Sequence, residues 1–310
     1  MAQTLEILTR RTGTMQSIRS IVRTMKTMSA INALPYEQAA QSIDAYRDTV
    51  LTGLHAFVVG NGPLPVDQGP DALPVIIAFG SDHGLCGNYN EVVAGEVLRI
   101  FAPGSRIIAV GVQMQDALSG QGIPPEQTLM PPATTEGLGR LAGRLIKVLD
   151  DLRLADANGS ISVSLVFMQR ALHGQQQPTT QRMLPLDPEM TQALAKRRWS
   201  SRSLPAFSLP PERLFAALIN SFLFAEIFRA AAEALVTENA ARLARMQQAE
   251  QSIDDKLEEL TAETRSVRQS EITTELLDVI IGFEAMKDRD LRKSAKKNVQ
   301  KGSGTTSTNP

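Results

Sequence analysis

The chain has 310 residues, 43% of them hydrophobic, which is enough for one large domain or two ordinary ones with a real core. Its formal net charge of −1 excludes a global field aimed at nucleic acid or anionic lipid. The single cysteine, Cys86, excludes an internal disulfide framework and makes a reducing compartment the default. No stretch approaches the ~20 apolar residues that a membrane span needs. The opening "MAQTLEILTRRTGTMQ" has no apolar signal core, so no signal or transit peptide is read there.

The first predicted element covers residues 1–60. Met15, Ile18, Val22 and Met25 recur at helical spacing, and Ile21 and Met28 broaden the stripe. Ile43, Tyr46, Val50, Leu54 and Phe57 continue it. Pro35 removes one backbone donor and predicts a kink near Ile31 to Leu34. A turn-rich linker, "GNGPLPVDQGPDALP", then opens a central region over residues 61–210. There "PVIIAF", "RIIAV" and "SISVSLVFMQ" read as strands, the last with Ile161, Val163, Leu165 and Phe167 alternating. "NEVVAGEVLRIF" and "EGLGRLAGRLIKVLDDL" read as the helices between them. This β-α-β-α-β order predicts a small, mostly parallel α/β sheet. Arg170 to Pro210 reads as loops with at most one strand, at "QRMLPL".

From Glu212 to Ile281 there are 70 residues without Gly or Pro. As one helix they span on the order of 100 Å, too long to bury within a domain of this size. Ile253, Leu257, Leu260, Thr264, Val267, Glu271, Thr274, Asp278 and Ile281 keep a 4-3 spacing, but several are polar. That suits a helix that packs on one neighbour and then leaves it. Residues Met1 to Leu34 hold five basic side chains and one acidic, while Thr237 to Glu275 hold nine acidic and five basic. Opposite charge balance favours antiparallel pairing of the two terminal helices. Residues 287–310 carry seven Lys/Arg, two Asp and little that is apolar, which predicts a disordered tail.

The most motif-like stretch is "FGSDHGLCGNYN", Phe79 to Asn90. Gly80, Gly84 and Gly87 do not fit a dinucleotide fingerprint, and no Lys-Ser/Thr follows to make a phosphate loop. Cys86 with His83 lacks a third orienting group, so a nucleophile and base are not read there. Its glycines suit a tight strand-to-helix turn, with Cys86 packing as a small hydrophobe and Asp82 or Asn88 capping the next helix. His55 and His173 are isolated, and no cluster has metal-ligand spacing. The residues therefore predict no catalytic site, no metal and no cofactor. A nucleotide-handling α/β enzyme with helical arms and a coiled-coil scaffold stay open as readings.

Several segments together resemble the gamma subunit of F-type ATP synthases. "TENAARLARMQQAEQSIDDKLEEL" followed by "VRQSEITTELLDVIIG" is similar to that family's C-terminal signature, "GSDHGLCGNYN" to its S-D-R-G-L-C-G-x-[FY]-N, and "IRSIVRTMKTMSAINA" to its first helix. The likeness runs from about residue 15 to residue 286. It implies an α/β chain: a long antiparallel coiled coil of N- and C-terminal helices plus a central Rossmann-like α/β domain. It also implies a central rotor shaft without catalytic residues, turning inside a ring of alpha and beta subunits and coupling ion flow to ATP synthesis or hydrolysis. Epsilon and the membrane c-ring would lie at its foot, on the cytoplasmic face of a bacterial plasma membrane, with no nucleic acid bound and no direct insertion into the bilayer.

By position, the resemblance assigns ring contacts to Met25, Lys26, Arg242, Arg268, Gln269, Thr273 and Glu275, and a structural loop to Asp82, Gly84, Cys86 and Gly87. If Met25 lies opposite Arg242, the first helix runs out near Ser266 and the last stands alone beyond it. Leu277, Ile280 and Ile281 then belong to an apolar end suited to a greasy sleeve. Four features depart from the family pattern: His83 in place of Arg, "INALPYEQA" with Pro35, the stretch Arg170 to Pro210, and the basic tail. They imply a divergent bacterial member that serves a second, alternative ATPase.

Overall fold

The computed structural model describes residues 2–64, 72–156, 159–171, 175–203 and 205–302. In chain order the elements are α1 (Ala2–Asn61), β1 (Leu73–Phe79), α2 (Tyr89–Ile100), β2 (Arg106–Val110), α3 (Val112–Gly120), β3 (Gln127–Leu129), α4 (Glu136–Ala155), β4 (Ile161–Arg170), β5 (Gln176–Leu184), α5 (Pro188–Lys196) and α6 (Pro211–Gly302). The chain divides into two compact units that cut across the domain boundaries expected from sequence: Arg23–Gln248, and Met1–Val22 with Ala249–Pro310. Each terminal helix contributes to both.

In the larger unit the sheet order is β3-β2-β1-β4-β5, parallel except for the antiparallel β4–β5 pair. The alternation read in the sequence sorts its residues between two layers. Val75, Ile77, Phe79, Val163, Leu165 and Phe167 face one core, which α4 closes with Leu138, Leu141 and Leu145 and α6 closes with Leu223, Ile227 and Ala231. Ile76, Ala78, Ile107, Ala109 and Val166 face the other, closed by Val93 and Val97 of α2 and by Met114 and Leu118 of α3. A third cluster joins Val50, Leu54 and Phe57 of α1 to Phe222 of α6 and Leu194 of α5.

The stretch Arg170 to Pro210 is more ordered than its composition implies. It forms β5 and the short helix α5, whose N-cap Asp187 accepts from Glu189 N at 2.9 Å with Pro188 in the first turn. α3 and β3 were also not foreseen. α1 runs through Pro35 without a break in the helix. Tyr36, the next residue, is 5% exposed and its hydroxyl donates to Pro132 O at 3.1 Å, anchoring the segment to the sheet unit.

Within this unit α1 and α6 run antiparallel. Arg229 pairs with Asp44 at 3.0 Å and Arg47 with Glu226, so each step forward on one helix is a step back on the other. Glu226 is 1% exposed, and its second oxygen accepts from Gln181 Nε2 at 2.6 Å, so the buried charge is fully partnered. One 18-residue window of α6 has mean hydropathy 1.6, apolar enough by length and composition to cross a membrane, although the sequence reading found no such stretch. In this fold 39% of that window is buried, and Phe222, Leu223, Ile227, Ala230 and Ala231 of α6 pack in the cores shared with the sheet and α1.

The smaller unit is an antiparallel pair held in register by Arg19 and Asp254 at 2.6 Å. Leu5, Leu8, Thr12, Met15, Arg19 and Val22 of α1 form a half-buried or buried seam at strict 3-4 spacing. The facing seam of α6 is Ile253, Leu257, Leu260, Thr264, Val267, Glu271 and Thr274. Ile18, Ile21 and Met28, expected in the stripe, are instead exposed, as is Tyr46. The reason is that the seam keeps its heptad through polar positions such as Thr12 and Arg19, which an apolar count skips.

α6 continues through Gly282, where a Cβ would meet nothing within 4 Å, and on to Gly302. The helix thus runs past residue 286, where the sequence reading ended the C-terminal helix (211–286) and began a disordered tail. One glycine costs a helix only about 1 kcal/mol. The Lys, Arg, Ala and Leu that follow are good helix formers. Residues 303–310, and with them the end of the predicted tail, lie outside the described residues, as does His173.

Candidate functional site

The loop from Phe79 to Asn90 is built around Ser81. Its backbone N donates to Asn90 Oδ1 at 2.9 Å, and its hydroxyl accepts from Asn90 Nδ2 at 2.8 Å and from the Cys86 thiol at 3.2 Å. Asp82 accepts from Val112 N at 3.4 Å, so it supports the start of α3 rather than α2. Asn88, at the N-cap of α2, makes no side-chain capping bond. The left-handed residues are Leu85 (φ 68°) and Gly87 (φ 69°), not Gly84, which faces open space. At Gly87 a Cβ would also strike the Arg245 guanidinium, with Nη2 2.8 Å away.

Helix α6 closes over this loop. Arg242 donates to Glu238 at 2.5 Å, to His83 O at 3.3 Å and to Gly84 O at 3.5 Å. Burial raises the Glu238 carboxyl, and the neighbouring Arg242 offsets that only in part. Deeper in, the buried Tyr89 hydroxyl donates to Ala234 O at 2.9 Å and lies 3.0 Å from Thr237 Oγ1. In open α/β sheets, ligands bind outside the strand carboxyl ends where the strand order reverses. Here that point is the end of β1, between β2 and β4, where α6 bonds to both flanks, Thr237 donating to Met168 O of β4 and Arg242 to His83 O after β1.

A cavity of about 520 Å³ lies beside the loop, lined in part by Cys86, Asn90, Gln113, Asp116 and Gln121. Its one thiol, Cys86, is 4% exposed, and burial pushes its pKa up, away from the thiolate a nucleophile needs. His83 is an exposed side chain 4.0 Å from Asp82. His55 is buried and donates from Nε2 to Arg197 O at 2.9 Å. Among the described residues no group of His, Cys, Asp and Glu is placed to hold a metal.

The structure separates the expected ring-contact residues into two sets. In the larger unit Met25 and Lys26 are half-buried on α1, while Arg242 is committed to Glu238 and the loop. The Asp44–Arg229 pairing, followed nineteen residues along each helix, puts Met25 opposite Gln248. Arg242 then falls opposite Ile31, so the pairing of Met25 with Arg242 expected from sequence is six residues out of register. That expectation lacked the ionic seam positions that fix the register. In the smaller unit the Arg19–Asp254 pairing, followed seventeen residues, puts Ala2 opposite Glu271. The pair therefore ends five residues later than Ser266.

Beyond Thr274 the described side chains of α6 through Lys287 are all exposed. Leu277, Ile280 and Ile281 are 53%, 54% and 61% exposed, and Ile272, Leu276, Val279, Phe283 and Met286 are likewise bare. Phe283 and Met286 extend the apolar end past the stretch read from sequence. Arg268, Gln269, Thr273 and Glu275 are exposed, and the Thr273 hydroxyl donates to Gln269 O at 2.8 Å within its own helix. An apolar surface of this extent on one helix end marks an interaction site. Also unforeseen was Arg245, three residues after Arg242 and so on the same helix face.

The comparisons with known proteins agree. A family model described as ATP synthase matches residues 4–286. The ATP synthase gamma chain of Bacteroides fragilis is 28% identical over 298 residues, covering 92% of this chain and 100% of that one. The ATP synthase gamma chain of Ruegeria pomeroyi is 26% identical over 297 residues, covering 91% and 99%. Among solved structures, a chain of the Euglena gracilis mitochondrial ATP synthase (OSCP/F1/c-ring, rotational state 3) aligns with TM-score 0.64 at 16% identity, over 92% of this chain and 95% of that one. A chain of the rotor of the same enzyme in rotational state 1 aligns with TM-score 0.61 at 14% identity, over 88% and 100%. At such identities the structural likeness speaks for the fold alone. The family match and the curated relatives carry the assignment: this chain belongs to the ATP synthase gamma-chain family.

Proposed function

We infer that the chain is the central rotor-shaft subunit of an F-type ATP synthase, non-catalytic in itself. The observation that carries this reading is the bare apolar end of α6, from Leu276 to Met286, beyond the last half-buried seam residue at Thr274. A helix end with such a surface needs a surrounding partner. An apolar sleeve satisfies it while leaving few directional bonds to oppose turning. We read the sleeve as the ring of alpha and beta subunits, with Arg268, Gln269, Thr273 and Glu275 contributing its polar contacts and Met25 and Lys26 lying near the beta subunit. Arg242 serves instead to hold the Phe79–Asn90 loop on α6. Epsilon and the membrane c-ring would engage the sheet unit, at the cytoplasmic face of a bacterial plasma membrane. Ion flow through the c-ring would turn the shaft, and each shaft angle would favour one set of catalytic-site conformations over the others.

The bonds that α6 makes at the crevice beyond β1 and the buried Cys86 thiol speak against the rival reading as a nucleotide-handling enzyme. Co-expression with the alpha and beta subunits tests the proposal. The expected result is one complex containing three alpha, three beta and one copy of this chain, with no stoichiometric ATP binding by the isolated chain. A chain that stays a free homodimer, or that binds ATP tightly alone, contradicts it.

A further inference from the structure

Arg170, the last residue of β4, gathers three elements at one point. Its backbone N and its Nε both donate to Glu233 Oε1 of α6, at 3.0 and 2.9 Å, and its Nη2 donates to Glu233 Oε2 at 3.2 Å. Its Nη1 donates to Glu37 Oε1 of α1 at 2.5 Å. One planar guanidinium thus fixes both terminal helices to the end of a central strand. Glu233 first, and Glu37 with it, hold that guanidinium in its charged form. Seven residues earlier on α6, Glu226 makes a parallel link, accepting from Gln181 of β5 and from Arg47 of α1. Two turns of helix separate the ties, about 10 Å along its axis.

We propose that Arg170 is a positioning residue for rotary coupling: with the Glu226 tie, it fixes the angular setting of α1 and α6 against the sheet, so that turning force on the α/β domain enters both helices together. The proposal rests on the shaft reading above. Apolar packing of α6 on the sheet is non-directional and holds distance better than angle. A guanidinium bonded through two edges to one carboxylate, and through a third donor to another, has a defined orientation. The side chains of Arg170 and Glu37 are 38% and 37% exposed, so solvent screens that pair and its contribution to folding is small, while Glu233 is 14% exposed. Removing the tie therefore acts on stiffness more than on stability. Lysine, a point charge without the fork, replaces it only in part.

The test uses the assembled complex with its ring fixed to a surface and a probe on the α/β domain. Without nucleotide, the spread of probe angles reports the torsional stiffness of the shaft. With one of two parallel ties lost, Arg170→Gln and Glu233→Gln are expected to widen the angular variance roughly twofold, with Arg170→Lys in between. ATP hydrolysis should stay within about twofold of wild type, since the ring contacts are untouched. Unchanged variance in assembled Arg170→Gln complexes overturns the proposal. If that variant does not assemble, Glu37→Gln, which releases α1 alone, is measured by the same criterion. A wild-type chain that never joins a ring refutes the shaft reading itself, and is distinguishable from failure of the tie.

Discussion

Placing a carboxylate at Ile280 or Leu277 separates a docking surface from a folding core. Both residues are already about half exposed in the chain alone, at 54% and 53%, so their substitution removes almost no internal packing. The isolated chain should keep its helix content and its melting transition to within about 0.5 kcal/mol. Assembly is a different matter. Covering the remaining half of a Leu or Ile side chain contributes about 1 kcal/mol. An aspartate in its place forfeits that and takes a charge into an apolar sleeve. A combined penalty of roughly 3 kcal/mol is a conservative figure, and it amounts to about a hundredfold in affinity. The assay is titration of Ile280→Asp and Leu277→Asp chains into purified alpha/beta ring, with complex read by size-exclusion chromatography and circular dichroism run on the free chains. Wild-type affinity in either variant would refute the argument. Loss of fold in the free chain would refute it too, because the surface would then belong to an internal core.

Three further outcomes follow from the geometry. Cys86→Ala removes a small buried side chain and should cost about 1 kcal/mol in urea unfolding, with assembly and ATPase activity of the complex retained. Lost activity in intact complexes would reopen a catalytic role for the loop. Gly87→Ala meets a φ of 69° and the Arg245 guanidinium together, so a loss of about 2 kcal/mol or more is expected, far above that of Gly84→Ala, which faces open space. Equal effects at the two glycines would contradict the loop geometry. Glu238 has a raised folded pKa, from burial first, with Arg242 opposing. In the window between the ordinary carboxylate value near 4.5 and that raised value, the folded state binds more protons than the unfolded one. This group's contribution to stability therefore rises as pH falls through the window. Urea midpoints of wild type and Glu238→Gln across it should converge at the acid end. A difference independent of pH would refute the shift.

What could be read from the sequence follows the physics of each segment. β1, β2 and β4 are apolar runs of β-branched residues, and such runs have few other readings. Only the second half of β5 was legible, at "QRMLPL", because "QQPTTQRML" is polar and contains Pro178; the strand is held by its ladder to β4 and by side-chain bonds from Gln181 to Glu226 and from Gln176 to Thr237 O. β3 has only three residues, too few to carry a period. On α1 the apolar pattern pointed to Ile18, Ile21 and Met28, yet the seam runs through Thr12, Arg19, Lys26 and Ser29. Charged seam residues find their partners only across the pair, as Arg19 does with Asp254 and Arg47 with Glu226, and one sequence cannot show which residue lies opposite. The same gap explains the six-residue error in the Met25 register. The bare end of α6 was legible because it needs no partner to define it: its side chains are apolar on more than one face of a helix too long to bury. The motif-rich loop misleads for the converse reason. Glycine, Asp, His and Cys are the usual residues of an active site, but here Gly87 turns the chain beneath Arg245, Asp82 accepts from Val112 N and Cys86 packs inside.

The most direct test of the account is rotation. A probe fixed to the sheet unit of this chain, in a complex with a surface-held alpha/beta ring, is watched while ATP is hydrolysed. The account expects the probe to turn in one direction in steps of a third of a revolution, and Ile280→Asp to lower the number of rotating complexes. ATP hydrolysis at the full rate with the probe stationary would contradict it.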